Sequence, residues 1–496
     1  MDFLDPKKKR SRQVRLAIGH TLMVLLVFVA TYILVFSAYG YNIDTKTGEV
    51  IQDGLIYIDS APDGARITIN GKLQDSKTNT RISLPEGKYT LEISKDGYQA
   101  WERSFMLEGG EVLRYTYPLL FPTKLETAQI KNFDAPIQFA TQSPDRRWIV
   151  LSGQNVTAMT LFDLRNRDNN DQPLSTVLNF PASLFTTAKG AHRLKLVEWS
   201  TDNRHLLVRH SYAGGREFIM LDIDQPAQSY NVGAVLKQKP DKVNLFDKKF
   251  DKLYVYSAKT KILSVADVKS KVVSTFATDV ISYKPHGSDT VLMSKASAEH
   301  KDRAEIIMRQ KARDYLIKLI PLSDSIPLDI ARYSGDWYIV IGVQKERRSY
   351  VYRNPVDFVT NKDIDPDVVN ATVLRNDGLI DEVSFSQNAR FIMSNSGRNF
   401  SIYDAETERH YSYTLQQKID TDEPPAWMDG HRIMVNSGGK LLVFDYDGIN
   451  RRALLKVDPA LPVMFDRDYI ELYSLSGLAK GKYGLSLTQL RIPADR

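Results

Sequence analysis

Histidines and carboxylates are the side chains of this sequence that could bind a metal ion or transfer protons. Of the eight histidines, only His205 and His210 lie close together; five positions apart in a strand, they face opposite ways and form no chelating pair. The run Asp363-Ile-Asp365-Pro-Asp367 puts three carboxylates on one side of an extended loop. Calcium binds such clusters, but the EF-hand glycine is missing and Leu374 replaces the bidentate glutamate. The sequence therefore predicts a solvated acidic loop and no metal site.

The common catalytic motifs are missing from the sequence. It contains no H-E-x-x-H, no P-loop, no G-x-G-x-x-G after a strand and no G-x-S-x-G elbow. A cysteine count of 0 excludes disulfides, thiolate metal sites and a cysteine nucleophile. We therefore expect a protein that is not an enzyme, without catalytic residues, metal ligands or cofactors. The sequence leaves the ligand-binding residues unknown.

The excess positive charge is concentrated at the N-terminus. Residues 1–15 carry six basic and two acidic groups and residues 16–43 carry none, which leaves 60 basic and 58 acidic groups of the totals of 66 and 60. A nearly neutral body is not the electrostatic footprint of a nucleic-acid-binding protein. With 43% hydrophobic and 25% charged residues, the chain has the composition of folded protein.

An apolar segment follows the basic tail of residues 1–15. Residues 17–39 are uncharged and would form about 34 Å of helix, enough to cross a bilayer. We predict a transmembrane signal-anchor helix over 16–39, with cleavage at Ala38-Tyr39-Gly40 as the alternative. The basic tail puts the N-terminus in the cytoplasm, because positive charge is retained there. The protein is thus expected in the cytoplasmic membrane, single-pass and mostly extracytoplasmic. His20 is interpreted as a neutral interfacial histidine.

Short alternating runs after a linker at 40–53 predict a small β-sandwich. Ile56 and Ile58 share one strand face, as do Ile67 and Ile69. Asn70-Gly71 and similar turn pairs separate the runs and are typical of hairpins. Tyr98 and Trp101, three positions apart, are expected on opposite faces and in the core, not as a sugar platform.

The strings IDSAPDGARITINGK and LPEGKYTLEISKDGYQAW carry a family resemblance. They are similar to the PEGA domain over residues 54–121, although Lys88 stands where the motif has alanine. The resemblance implies a compact β-sandwich of bacterial surface and membrane proteins. It implies contact with surface layers or carbohydrate but no catalytic residues.

A repeat dominates the rest of the chain after a second linker at 122–135. Ser143–Arg147, Ser200–Arg204 and Ser386–Arg390 share a serine, an Asp or Asn two positions later and an arginine at +4, followed by an apolar strand. About twenty residues later an apolar strand ends in aspartate, as at Asp163 and Asp222. With weaker copies, eight starts occur near 143, 200, 247, 284, 334, 386, 428 and 466.

A spacing of about 46 residues fits a four-stranded propeller blade. We predict a β-propeller over 136–493 with eight blades, and seven as the alternative. The Ser-Pro-Asp turn followed by a strand resembles the TolB-like propellers at the level of single blades. The fold class is thus an all-β ectodomain, a sandwich plus a propeller, on one N-terminal helix.

Two β-modules without a catalytic constellation favour an envelope binding or scaffold protein. Its expected partners are the membrane and either cell-wall polysaccharide or an envelope protein, and not nucleic acid. The alternative is an extracytoplasmic glycan hydrolase or lyase that uses carboxylates in the funnel of the propeller, a kind of site that sequence spacing does not show. A sensor that signals through the helix is a third hypothesis. The basic tail of residues 1–15 has no kinase or regulatory domain that could receive such a signal.

Overall fold

A computed structural model describes residues 6–38, 40–43, 50–360, 371–420, 424–477 and 482–495. The chain divides into two compact units. The first unit comprises Met1–Lys124 together with Arg491–Asp495, and the second comprises Leu125–Leu490.

The first unit begins with helix α1, Pro6–Ala38. The helix is longer than the predicted span of 16–39, because the lysines and arginines of the tail are good helix formers and Pro6 suits the first turn. Within Arg10–Phe36, an 18-residue stretch has a mean hydropathy of 2.3, and the helix is long and apolar enough to cross a membrane. Near its end, Phe36 stacks on Tyr32 and on Tyr41, with ring centroids 6.0 and 5.1 Å apart. Aromatic side chains of this kind suit a membrane–water interface.

Two four-stranded sheets form the small β-domain. In one, β1, β2 and β5 pair in that order and β8 runs parallel to β2; the other has the order β4-β3-β6-β7. The strands are β1 Tyr41–Ile43, β2 Val50–Ile58, β3 Arg66–Ile69, β4 Lys72–Lys77, β5 Thr80–Pro85, β6 Gly87–Ser94, β7 Trp101–Leu107 and β8 Val112–Tyr115.

The predicted apolar faces form the core of this domain. Ile56, Ile58 and Ile67 are fully buried, because alternate side chains of a strand share one face. The hairpin at Asn70-Gly71 is confirmed: both residues have positive φ, 49° and 77°, as a two-residue hairpin turn requires. The predicted linker at 40–53 was partly wrong, because β1 and the start of β2 lie within it and pair with each other.

Tyr98 and Trp101 both lie in the core, which confirms that they do not form an exposed platform. Their side chains belong to one apolar cluster, so the expectation of opposite faces was wrong, because Tyr98 precedes strand β7. The Tyr98 hydroxyl donates to Asp495 Oδ2 at 3.0 Å and accepts from the backbone N–H of Ile492 at 2.9 Å. Lys95 pairs with Asp495 at 2.5 Å. These contacts, which end in the short 3-10 helix Pro493–Asp495, attach the C-terminal segment to the β-domain.

The second unit contains eight antiparallel four-stranded sheets within the described residues, as an eight-bladed propeller requires. Seven sheets use consecutive strands: β10 Phe139–Gln142, β11 Trp148–Ser152, β12 Ala158–Arg167, β13 Pro173–Asn179; β14 Arg193–Trp199, β15 His205–Tyr212, β16 Gly215–Asp222, β17 Tyr230–Asn231; β18 Lys242–Phe246, β19 Lys249–Ser257, β20 Ile262–Asp267, β21 Val272–Ala277; β22 Val280–His286, β23 Thr290–Ala296, β24 Arg303–Gln310, β25 Arg313–Pro321; β26 Leu328–Tyr333, β27 Asp336–Val343, β28 Arg348–Arg353, β29 Thr372–Arg375; β30 Glu382–Phe385, β31 Phe391–Ser396, β32 Asn399–Asp404, β33 His410–Thr414; β34 Ala426–Trp427, β35 Arg432–Ser437, β36 Lys440–Asp445, β37 Arg452–Lys456. These sheets are called blades 1 to 7 in chain order.

Blade 8 is built from both ends of the second unit. It combines β38 Met464–Phe465, β39 Glu471–Gly477 and β40 Tyr483–Gln489 with β9 Glu126–Phe133. Strand β9 pairs antiparallel with β40, with Glu126 opposite Gln489. The predicted linker at 122–135 was therefore wrong, because most of it is the outer strand of the last blade.

The remaining elements lie in the connections of the second unit. They are the α-helices α2 Val232–Leu236 and α3 Pro355–Thr360, and 3-10 helices at Ala182–Leu184, Pro226–Gln228 and Gln344–Glu346.

The first strand of each blade lies on the inside of the ring. First strands of neighbouring blades contact each other, as β10 does β14 and β22 does β26. The second and third strands carry the longest buried runs, such as Phe391–Ser396 in β31. These strands read as nearly continuous apolar runs because both faces are covered by neighbouring blades.

The two halves of the repeat motif meet in an ion pair. Arg147 donates to Asp163 through Nε at 3.0 Å and Nη2 at 2.7 Å. The corresponding pairs, Arg204 with Asp222 and Arg390 with Asp404, have the same two-pronged geometry at 2.6–2.8 Å. The arginine of the turn between the first and second strands thus clamps an aspartate of the third strand.

The serine-containing turn is also built as predicted. Ser143 Oγ donates to Asp145 Oδ1 at 2.6 Å and accepts from the backbone N–H of Trp148 at 2.9 Å. The position before the clamping arginine has positive φ in all three regular copies: 60° at Arg146, 55° at Asn203 and 60° at Ala389. This backbone shape turns the side chain of that position away from the clamp.

Candidate functional site

Turns between first and second strands converge at one end of the propeller ring. The backbone N–H of Asp145 in blade 1 donates to Asn203 Oδ1 in blade 2 at 3.1 Å. In turn, the N–H of Thr201 donates to the Lys248 carbonyl in blade 3 at 3.0 Å. On the other side, Gln387 Nε2 of blade 6 donates to the Met428 carbonyl of blade 7 at 2.9 Å. We call this end, with the cavities described next, the mouth.

Arg146 spans the mouth. Its Nη1 donates to the Asp466 carbonyl at 3.2 Å, and its Nη2 contacts Gln387 Oε1 at 3.3 Å and the Met428 carbonyl at 3.5 Å. It also binds the Tyr469 hydroxyl, and the guanidinium lies 4.0 Å from the centre of the Tyr469 ring. A side chain of blade 1 therefore joins the turns of blades 6, 7 and 8, using only uncharged acceptors.

A cavity of about 410 Å³ lies beside Arg146. Arg467 is exposed at its edge, and among the described residues it has neither a hydrogen bond nor an ion pair through its side chain. Arg165 pairs with Asp145 at 3.1 Å. Three arginines thus surround one carboxylate, and Arg146 and Arg467 have no carboxylate partner in the described part of the chain. The lining residues include Asp145, Arg146, Arg165, Gln387, Arg467 and Tyr469.

Tyr469 is a hydrogen-bond donor in this cavity. Burial raises the pKa of its phenol, even though the nearby Arg146 acts to lower it. The hydroxyl therefore keeps its proton at neutral pH and donates to the Met428 carbonyl at 2.8 Å.

A second cavity of about 520 Å³ adjoins the first, since Pro144 and Asp145 line both. Its remaining lining is mostly uncharged, and Lys248 is already bound to Glu198. Trp199 is buried and its indole N–H donates to Thr141 at 2.9 Å. The other lining residues are Gln142, Trp199, Thr201, Asn203 and Lys248.

Ionisable side chains also lie on the inner strands of blades 3 to 6. Lys284 pairs with Asp329 at 3.0 Å, and Asp329 Oδ2 accepts from the backbone N–H of Phe385 at 3.2 Å. Burial raises the pKa of Glu382 to about 7, helped by the charge of Asp329, and Glu382 Oε2 is buried without a hydrogen-bond partner. Burial lowers the pKa of Lys242 to about 8, helped by Lys284. Sequence spacing gave no signal for this group, because its members come from different blades.

A histidine pair in blade 2 was missed by the sequence analysis. His192 Nδ1 and His210 Nε2 are 2.8 Å apart, His210 Nδ1 lies 2.8 Å from Glu217 Oε1, and His192 Nε2 lies 3.0 Å from the Ala188 carbonyl. Both imidazoles therefore have each ring nitrogen within hydrogen-bond distance of a partner. His192 lies in a connection 18 residues from its partner, so no local pattern marks the pair.

The other described histidines considered from sequence are not among the residues that line the mouth cavities. His205 contacts Asp202 Oδ2 at 2.6 Å and not His210, as predicted. His20 contacts the Leu16 carbonyl at 2.7 Å. The acidic run at 363–367 lies outside the described residues. In the described part of the chain, no group of three or more His, Asp or Glu side chains is arranged to hold a metal ion.

Comparisons with solved structures give matches at low identity. A dihydro-heme d1 dehydrogenase, NirN, in complex with DHE is 15% identical, with a TM-score of 0.41 over 65% of this chain and 67% of that chain. Apo AztD from Citrobacter koseri is 13% identical, with a TM-score of 0.39 over 80% and 96%. Hsv2 of Kluyveromyces lactis is 13% identical, with a TM-score of 0.35 over 60% and 98%.

Comparison with curated protein sequences gives no match. Among family models, the one described as the PEGA domain matches residues 53–120. This range coincides with the two-sheet domain of the first unit, whose turns carry the predicted motif. The chain therefore contains a PEGA domain at residues 53–120, followed by an eight-bladed β-propeller.

Proposed function

We propose that this protein is a non-enzymatic binding or scaffold protein of the bacterial cell envelope, anchored in the cytoplasmic membrane by α1. Its PEGA domain and propeller lie on the extracytoplasmic side and contact cell-wall polysaccharide or an envelope protein. The basic residues before the apolar span support this direction, because positive charge is retained in the cytoplasm.

The observation that carries the binding function is the mouth of the propeller. Its two adjoining cavities, of about 410 and 520 Å³, fall in the size range of ligand pockets. Turns from several blades supply arginine, amide and phenol groups to them, and a rigid ring holds those turns. Loops presented by a rigid scaffold are where binding residues concentrate.

The direction of the chain is tested with single cysteines, since the natural sequence has none. We expect Lys259→Cys, in an exposed turn of the propeller, to react with a membrane-impermeant maleimide on intact, wall-stripped cells. Arg12→Cys should react only after the membrane is opened. The reverse pattern would overturn the proposed topology.

The binding function is tested by crosslinking in cells. A photo-reactive amino acid at position 467 of the full-length protein should capture a cell-wall polymer or an envelope protein. The matched control is position 259, which lies in the turn between the second and third strands of blade 3, at the opposite end of the blade from the mouth. Equal capture at both positions, or none at 467, would argue against a binding site at the mouth.

The alternative function, a glycan hydrolase or lyase, rests on Glu382 and Asp329. A carboxylic acid with a pKa of about 7 beside a second carboxyl group is a pattern of paired acid and base groups. This candidate requires that the protein releases new ends from cell-wall glycans and that Glu382→Gln abolishes the release. If the purified protein releases no such ends, the hydrolase or lyase alternative is rejected and the binding function remains.

A further inference from the structure

We propose that the ligand of the mouth is an acidic polysaccharide whose carboxylate or phosphate group binds between Arg146 and Arg467, while a neighbouring sugar unit occupies the second cavity. This inference rests on the proposed binding function and names its ligand class.

The charge of the first cavity calls for an anion. Arg146 donates hydrogen bonds to two carbonyls, an amide oxygen and a phenol. These contacts fix its position, and none of them involves a carboxylate that would neutralise its charge. Arg467 has no partner in the described part of the chain, and the single carboxylate, Asp145, is shared with Arg165. The lining therefore carries an excess of two positive charges. Guanidinium groups bind carboxylates and phosphates through strong, charge-assisted hydrogen bonds.

The second cavity favours an uncharged, hydroxyl-rich unit. Pro144 and the indole of Trp199 offer apolar surface, and Thr201 and Asn203 offer small polar groups. Among its described lining residues the single cation, Lys248, is neutralised by Glu198. A sugar ring combines an apolar CH face with hydroxyls and matches this lining.

The adjoining cavities favour a polymer over a single ion and a polysaccharide over a peptide. A ligand that fills both cavities passes Pro144 and Asp145, which line each of them. An acidic peptide can also bind to clustered arginines. The described lining at the mouth consists of turns, without a free strand edge to pair with an extended peptide backbone, and the hydroxyl and amide groups of the second cavity match the hydroxyls of a sugar.

The test measures binding to full-length protein in nanodiscs of uncharged lipid. The probes are an oligogalacturonate, which carries carboxylates, and a glycerol-phosphate oligomer with sugar substituents, which carries phosphates. The uncharged control is the methyl ester of the same oligogalacturonate. We expect at least one acidic probe to bind at least ten-fold more tightly than the ester, with an affinity that falls as salt is raised.

Variants locate the site. Arg467→Gln should weaken binding of the acidic probe about 10- to 100-fold, as expected for the loss of a charged hydrogen bond. The matched control Arg375→Gln removes an exposed arginine of an outer strand and should leave the affinity unchanged. Equal losses in both variants would mean unspecific attraction and would overturn the assignment.

Other outcomes separate the ligand class from the binding function. Equal affinity for the ester would overturn the acidic ligand. Tighter binding of poly-glutamate would identify a peptide instead, and equally tight binding of inorganic phosphate would reduce the site to a simple anion site. Crosslinking at position 467 to a neutral glycan would keep the proposed function and overturn this inference.

Discussion

Arg146 and Arg147 are neighbours in the same turn and have opposite environments. Arg147 forms a two-pronged ion pair with Asp163, whereas Arg146 binds only uncharged acceptors and keeps its charge. The same contrast separates the clamps inside the blades from the mouth, where Arg467 is also unpaired among the described residues. An arginine that pairs with a buried carboxylate has a structural role. An arginine without such a partner, in a cavity lined by several blades, remains available to a ligand.

The largest effect is expected from breaking a clamp. Arg390→Ala leaves Asp404, whose side chain is only 1% exposed, without its cation and should lower the free energy of unfolding by about 3–5 kcal/mol. Denaturant unfolding of the full-length protein in detergent measures it. Arg375→Ala, at an exposed outer strand, is the control and should change stability by less than ~0.5 kcal/mol. Similar values for the two variants would remove the distinction between clamp and surface arginines.

Acid should weaken the clamps in the wild-type protein. Burial acts to raise the pKa of Asp222, but hydrogen bonds from Arg204 and from two backbone N–H groups bring it below its usual value. Because the folded pKa lies below the unfolded one, this stabilisation is present above about pH 4 and is lost as the pH falls further.

Melting temperatures between about pH 6 and pH 2 test this effect. The wild type should lose stability over that range, and Asp222→Asn should start lower and lose less. Parallel curves for the two proteins would show that Asp222 does not contribute through its charge.

Arg146 lines the mouth and also joins turns of several blades, so its substitution should have an intermediate effect on stability. Arg146→Gln removes the contact with the Tyr469 ring and several hydrogen bonds between turns, at a cost of about 1–2 kcal/mol. It should also weaken ligand binding at the mouth. Loss of binding with wild-type stability would show that Arg146 does not hold the turns together.

The smallest effect on stability is expected at Arg467. Because its side chain is exposed and unpaired among the described residues, Arg467→Gln should change the free energy of unfolding by less than ~0.5 kcal/mol. The measurement is the same denaturant titration as for Arg390→Ala. A loss of several kcal/mol would show that Arg467 stabilises the fold and is not held free for a ligand.

Local chemistry explains which parts of the fold could be predicted. The Asn70-Gly71 turn depends on two adjacent residues, and the serine turn at Ser143–Arg147 on five, so both are visible in sequence. The clamp was foreseen only as two separate anchors. Their union, Arg147 with Asp163, follows from the pairing of β11 with β12.

Strand β9 and the mouth could not be predicted because they depend on closure of the ring. β9 is largely exposed and polar, so it lacks an apolar pattern, and its partner β40 lies more than 300 residues away. Arg146 meets Gln387 across a separation of 241 residues. Only the closed ring brings such positions together, and no spacing rule within a blade predicts which turn positions face the axis.

The composite last blade also determines when the ring can close during synthesis. β9 begins at Glu126 and must wait for β40, which ends at Gln489, and at ~5–20 residues per second this interval lasts about 20–70 s. During that time the nascent ring has an open seam, whose unpaired strand edges invite contacts with other chains. Pairing of β9 is therefore completed only when the final strand of the ring has emerged.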